Sequence, residues 1–160
     1  MPEGQTLEFK AKSDPTSLDL SKDDKRNLGR SLSAFSNATG GVLLFGITTA
    51  RKSDELSDGQ PAPITQLRPF EDRGHGLVGQ LISPPNPHIE LYPITRADGS
   101  GYLAIRVDPS DARPHMSMAP DHQRYYLRSG ANTLRMPDFL VRDMLRMRTS
   151  PKLRLAARRD

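Results

Sequence analysis

Near its start the chain reads EGQTLEFK, from Glu3 to Lys10, with two carboxylates five residues apart and a lysine after the second. Two carboxylates can hold a divalent cation and, with a third acid nearby, position it for phosphodiester cleavage. Glu3 and Glu8 are therefore the candidate catalytic acids, and Asp54 and Glu55, in a polar loop, are the acids nearest in sequence that could complete the set. The competing reading leaves Glu8 pointing to solvent. A second set of residues suits phosphate binding without catalysis: Lys10 and Lys12, Arg26 and Arg30 one helical turn apart, and Arg128 and Arg135 around the turn SGANT. The same cations also fit an ordinary charged surface. Tyr125 and Tyr126 are adjacent and must face opposite sides of a strand, so one is free to stack on a base while the other joins the core.

These residues need elements to hold them. Thr6–Lys10 alternates at period two, with Leu7 and Phe9 on one face, and reads as a strand. Ser21 suits a helix N-cap, with Asp23 and Asp24 in the first turn. Leu28, Leu32 and Phe35 then form one apolar stripe. The helix runs into AFSNATGGVLLFGITTAR, where Gly40 is the expected left-handed residue ending it. Val42–Ile47 is a continuous apolar run, expected as a central strand. A further helix is expected over Phe70–Ile82. His88–Ile94 and Tyr102–Val107 alternate around Ala97–Ser100 and read as a hairpin. Arg124–Leu127 and Leu134–Met136 give two more strands. Pro137 suits the first turn of a last helix, with Leu140, Met144 and Met147 as its apolar stripe. The order β-α-β-α-β-β-β-α predicts an α+β fold: a mixed, mostly antiparallel sheet packed with two or three helices.

Composition narrows the class. The 160 residues include no cysteine, which excludes disulfides and thiolate metal sites. No signal peptide and no eighteen-residue apolar run is present, so a soluble cytoplasmic protein with no membrane partner is expected. The net charge of +4 is uneven. Residues 142–160 hold seven basic side chains against two acids, a net +5, which leaves −1 for the other 141 residues. We expect a single domain over 1–148 and a basic tail over 149–160, the tail serving as a phosphate-binding arm or as a solvated end.

Several motifs fail on context. GHGLVG at 74–79 matches the dinucleotide fingerprint, but RPFEDR before it is no buried strand. No Walker A lysine loop and no G-x-S-x-G elbow occur. The four histidines, His75, His88, His115 and His122, lack zinc-ligand spacing. Spacing assigns no metal site.

Four blocks taken together carry more than any one of them: EGQTLEFK, SAFSNATGGVLLFGI, YLAIRVDPSDARPHM and RYYLRSGANTLRMP, in order from Glu3 to Pro137. They resemble the Schlafen AlbA-type domain family, with its E-x-x-x-x-E-F-K opening, its GG strand and its Y-x-R-x-G segment. The resemblance implies an α+β fold and nucleic-acid binding. Bacterial members are described as DNA-binding or ATP-binding proteins and transcriptional regulators. In Schlafen ribonucleases three acids form the site. Two match Glu3 and Glu8, and the third falls, counted from Gly46, on Thr49. A hydroxyl cannot supply the missing charge to a metal. The expectation is therefore a DNA-binding module without catalysis, a homo-oligomer being compatible with it, in which Asn37, Gly40, Gly41 and Thr49 lie near a phosphate. Two alternatives stay open: a metal-dependent nuclease using Glu3 and Glu8, and an ATP or nucleotide-binding domain. No cofactor is expected beyond a divalent metal in the first case or ATP in the second.

Overall fold

In the computed structural model, which describes residues 4–49 and 59–149, Ser21 starts the first helix as its sequence predicts. Its hydroxyl accepts from the Asp24 amide at 3.1 Å while the Asp24 carboxylate reaches back to the Ser21 amide, a capping box with aspartate in place of the usual glutamate. Glu3, Asp54, Glu55 and the basic tail from 150 onward lie outside the described residues.

The elements run β1 (Leu7–Lys10), α1 (Lys22–Asn37), β2 (Gly41–Phe45), β3 (Ile47–Thr48), β4 (Gln60–Pro61), α2 (Leu67–Gln80) and β5 (Ile82–Ser83). They continue as β6 (Ile89–Thr95), β7 (Gly101–Val107), β8 (Met116–Ser117), β9 (Arg124–Ser129), β10 (Asn132–Arg135) and α3 (Asp138–Thr149). The fold is α+β. One four-stranded sheet has the order β1-β2-β7-β6, parallel only at β1–β2; a second has the order β10-β9-β8-β5, antiparallel throughout; β3 and β4 form a small pair.

The first sheet buries one face. Leu43, Ile105 and Leu91 stand in one cross-strand row, and Phe45 and Leu103 in the next. Leu28, Leu32 and Phe35 of α1 and Leu67, Phe70 and Val78 of α2 close over them. Phe70 stacks on Phe45 with centroids 5.8 Å apart. Each such side chain contributes about 1.5–3 kcal/mol by leaving water. The opposite side of α1 is also covered: Gly29, Ser33 and Asn37, spaced by four, lie against β8, β9 and the residues before them. The helix is thus packed on two sides, by an apolar stripe and by a small, polar one.

Three boundaries differ from expectation for identifiable reasons. The apolar run after Gly41 breaks at Gly46, whose φ of +109° turns Ile47 out of β2 and into pairing with Pro61. Helix α2 begins three residues earlier than its periodicity predicts because Leu67 is fully buried. It ends at Gln80, since Ile82 leaves to pair with Ser117. All three glycines of GHGLVG lie inside α2 and not at a strand-to-helix turn, so their amides face no dinucleotide. Strands β5 and β8, of two residues each, are too short to show a period. Among the described residues no helix is long and apolar enough to cross a membrane.

Candidate nucleic-acid interface

Glu8 pairs with Leu43 across β1 and β2, and directly paired residues share a face of the sheet. The carboxylate therefore points inward, only 5% exposed, which corrects the expectation of a solvent-facing side chain. One oxygen accepts from Ser31 Oγ at 3.0 Å and lies 2.7 Å from Lys10 Nζ; the other accepts from Arg128 Nη1 at 2.8 Å. Arg128 also donates to the carbonyls of Gly4 at 2.8 Å and Leu7 at 3.3 Å and to Thr133 Oγ1 at 3.0 Å. Its guanidinium lies 5.1 Å from the Phe35 ring centre. A single ion pair thus joins β1, α1, β9 and β10. A divalent metal at Glu8 would have to displace two cations that already neutralise it. Thr49 is exposed just after β3, and Thr48 Oγ1 donates to the Gln60 carbonyl at 3.3 Å.

Two expected surface cations are interior groups. Arg128 is 6% exposed; its Nη1 and Nη2 donors turn to the carboxylate, carbonyls and hydroxyl just named, while Nε has no partner among the described residues. Lys12 is as buried: its ammonium donates to the Ser17 carbonyl and lies 4.7 Å from the Phe70 ring centre. Desolvation pushes the Lys12 pKa down, against the raising influence of Asp24, Asp14 and Asp19. Their placement corrects the surface expectation for both, because the loop after β1 folds back over α2 and β1 needs its edge carbonyls capped.

The residues expected near a phosphate also serve the fold. Asn37 is 1% exposed. Its Nδ2 donates to the carbonyls of His115 and Tyr126, both at 2.9 Å, and its Oδ1 accepts from the His115 amide at 2.6 Å. Gly40 takes φ +77°, as expected, and its amide donates to the Phe35 carbonyl at 3.0 Å. A side chain there would meet the Val107 carbonyl at 2.5 Å. At Gly41 the Phe35 ring fills the space a Cβ would need. Asn37, Gly40 and Gly41 thus form a helix stop and an inter-sheet latch.

Other cations gather on the α1–β9–β10 side. Arg30 lies with its Cζ 5.2 Å from the Tyr126 ring centre. Arg135 of β10 is the register partner of Tyr126. Arg26, one turn before Arg30, pairs with Asp23 at 3.1 Å. Tyr126 is buried and Tyr125 half-buried, on opposite faces of β9. Beside Tyr125 an open cleft of about 320 Å³ runs between α3 and the second sheet, lined by Arg124, Arg135 and Arg142 among others. None of these three arginines has an ion-pair partner among the described residues. Sequence reasoning passes over Arg124 and places Arg142 only in the basic end. The cleft depends on how α3 docks, and spacing along the chain carries no signal for that.

His115, fully buried in the same region, is expected to make stability depend on pH. Its Nδ1 bonds the Pro84 carbonyl, which can only accept, so the neutral ring carries its proton there and leaves Nε2 bare and, among the described residues, unpartnered. Burial lowers its pKa below the ordinary 6.5, the Pro84 bond opposes this, and Arg148 adds to the lowering. The unfolded chain therefore binds the proton more readily. Stability from the neutral ring is complete above about pH 6.5 and is lost as pH falls toward the depressed folded value, at about 1.4 kcal/mol per unit of depression. The melting temperature should fall between pH 7.5 and 5.5, and His115→Asn should flatten that part of the profile; an unchanged slope in the variant assigns the response elsewhere.

The sheet order, the acid–arginine anchor and the basic cleft describe an α+β domain with cations presented on one side. The family model described as Schlafen, AlbA_2 matches residues 3–137, and the chain belongs to that family. Two solved structures resemble it in fold. The DIP2311 protein from Corynebacterium diphtheriae is 17% identical with a TM-score of 0.54; the match covers 91% of this chain but 24% of that one, so this chain spans about a quarter of its length. The second is the N-terminal domain of a protein from Nitrosomonas europaea named as RecG-related, an ATP-dependent DNA helicase name. It is 16% identical with a TM-score of 0.51, over 96% of this chain and 86% of that one. No curated protein matches the chain.

Proposed function

We propose that this domain binds nucleic acid, DNA first, through the surface formed by α1, β9, β10 and α3, and that it acts in regulation without cleaving its ligand. The observation that carries the reading is the convergence of Arg124, Arg135 and Arg142 on one cleft with no ion-pair partner among the described residues. Three cations and one acid, Asp138, line this cleft, and a phosphate chain relieves the excess positive charge. Arg30 extends the surface along α1. Family membership supports the reading, as does the DNA helicase name of one fold neighbour. The commitment of Glu8 to Arg128, Lys10 and Ser31 favours binding over a metal-dependent nuclease.

The test is fluorescence anisotropy with labelled DNA and RNA over a salt series, with EDTA or Mn²⁺. Affinity should fall steeply with salt, with no cleavage under either condition. The double variant Arg30→Glu/Arg135→Glu should weaken binding about tenfold or more at low salt. It should also reduce the log–log salt slope by roughly one for each phosphate that is no longer neutralised. Salt-insensitive binding, or metal-dependent cleavage, would count against the proposal.

A further inference from the structure

The cleft beside α3 has a composition that plain backbone tracking does not require. Its floor is apolar, with Met116 and Val141 beside the half-buried ring of Tyr125. Its rim carries Arg124, Arg135 and Arg142, and Asp138 stands at the start of α3. We infer that this cleft is a nucleotide subsite: it takes one base against Tyr125 and the apolar floor, with that nucleotide's phosphate on the arginines. The inference rests on the nucleic-acid reading for its natural source, a strand, although a free nucleotide presents the same chemistry.

Size, charge and chemistry agree on that ligand. A cleft of about 320 Å³ lies at the small end of ligand sites and admits one unstacked nucleotide, whereas the bases of a duplex are paired and stacked inside it. Three cations and one acid leave a net +2, which suits a phosphate. The aromatic ring offers a face to any base, and the Asp138 carboxylate can accept from a base amino group. The cleft between α2 and residues 18–25 holds less excess charge, with Arg73 already paired with Asp19 and Lys25 as its other cation. The consequence is a preference for single strands or frayed ends over blunt duplex.

The experiment compares binding of a short single strand, the blunt duplex of the same sequence, and a nucleoside monophosphate. The proteins are the wild type, Tyr125→Ala, Tyr125→Phe and Arg142→Glu, each checked for an unchanged melting transition. Tyr125→Ala should weaken single-strand binding about tenfold and duplex binding less than about twofold, with Tyr125→Phe close to wild type. Arg142→Glu, on an exposed helical position, should repeat the single-strand loss without touching the core. If strand and duplex both bind and neither cleft variant separates them, the cleft is overturned while the basic surface stands. If no polymer binds but the monophosphate does, in a Tyr125-dependent way, the cleft stands as a free-nucleotide site and the interface falls. Binding of none of the three overturns both.

Discussion

Arg128→Ala is expected to destabilise the domain by about 3–5 kcal/mol, the cost of leaving a buried charge without its partner. Glu8 would keep Lys10 and Ser31 but lose the guanidinium at 2.8 Å, while the Gly4 carbonyl would lose this donor and the Leu7 carbonyl would keep the Gly4 amide alone of the two. The loss should therefore exceed that of an exposed pair such as Arg26–Asp23, worth about 1 kcal/mol or less. Chemical denaturation of the single variant and of Glu8→Gln/Arg128→Met separates the terms. Neutralising both members removes the stranded charge, so the double variant should be markedly more stable than Arg128→Ala. A single variant within about 1 kcal/mol of wild type would show that the pair anchors nothing. The same result bears on catalysis, because an acid that needs an arginine to remain buried is poorly placed to exchange that arginine for a metal.

Asn37→Ala should cost about 3 kcal/mol, although the residue is small and makes no ion pair. Its side chain is the described partner of the His115 amide and adds donors to the carbonyls of His115 and Tyr126. An unsatisfied buried polar group costs about 1–3 kcal/mol. Ser33 Oγ still donates to the His115 carbonyl at 2.7 Å, which limits the damage there. Asn37→Asp is the sharper control: it keeps the shape and the acceptor for the His115 amide but turns an oxygen toward two carbonyls. It should be at least as damaging as alanine. Hydrogen exchange should show the His115 amide exposed earlier than the β6–β7 hairpin in Asn37→Ala. Equal protection of the two in that variant would mean that α1 and the second sheet are held by other interactions.

Much of the scaffold was legible because local chemistry decided it. Ser21 with Asp24 three residues on marks a helix start in any context, and Leu28, Leu32 and Phe35 mark the face that must be buried. The alternation around Ala97–Ser100 sets the hairpin register, since a slip of one residue would turn Leu103, Ile105 and Val107 to solvent. Gly40 announced its own conformation. The four ordered blocks were enough to identify the family.

The roles of the polar residues were a different matter. Lysine, arginine, glutamate and asparagine look alike in sequence whether they meet water, a ligand or one another. Glu8 and Arg128 stand 120 residues apart, and only the pairing of β1 with β2 and the crossing of β9 over α1 bring them within hydrogen-bond reach. Once together, each cancels the other's desolvation cost, which turns a candidate catalytic acid and a candidate phosphate contact into an internal anchor. Asn37 is held inside by the backbone groups of His115 and Tyr126, and Lys12 by the Ser17 carbonyl and the Phe70 ring. Sequence alone determined the family, the α+β class and the faces to be buried, because propensity, capping and hydrophobic period act between near neighbours. Which charges lack an ion-pair partner among the described residues, Arg30, Arg124, Arg135 and Arg142, was decided by tertiary structure, because pairing depends on distance in space and not along the chain.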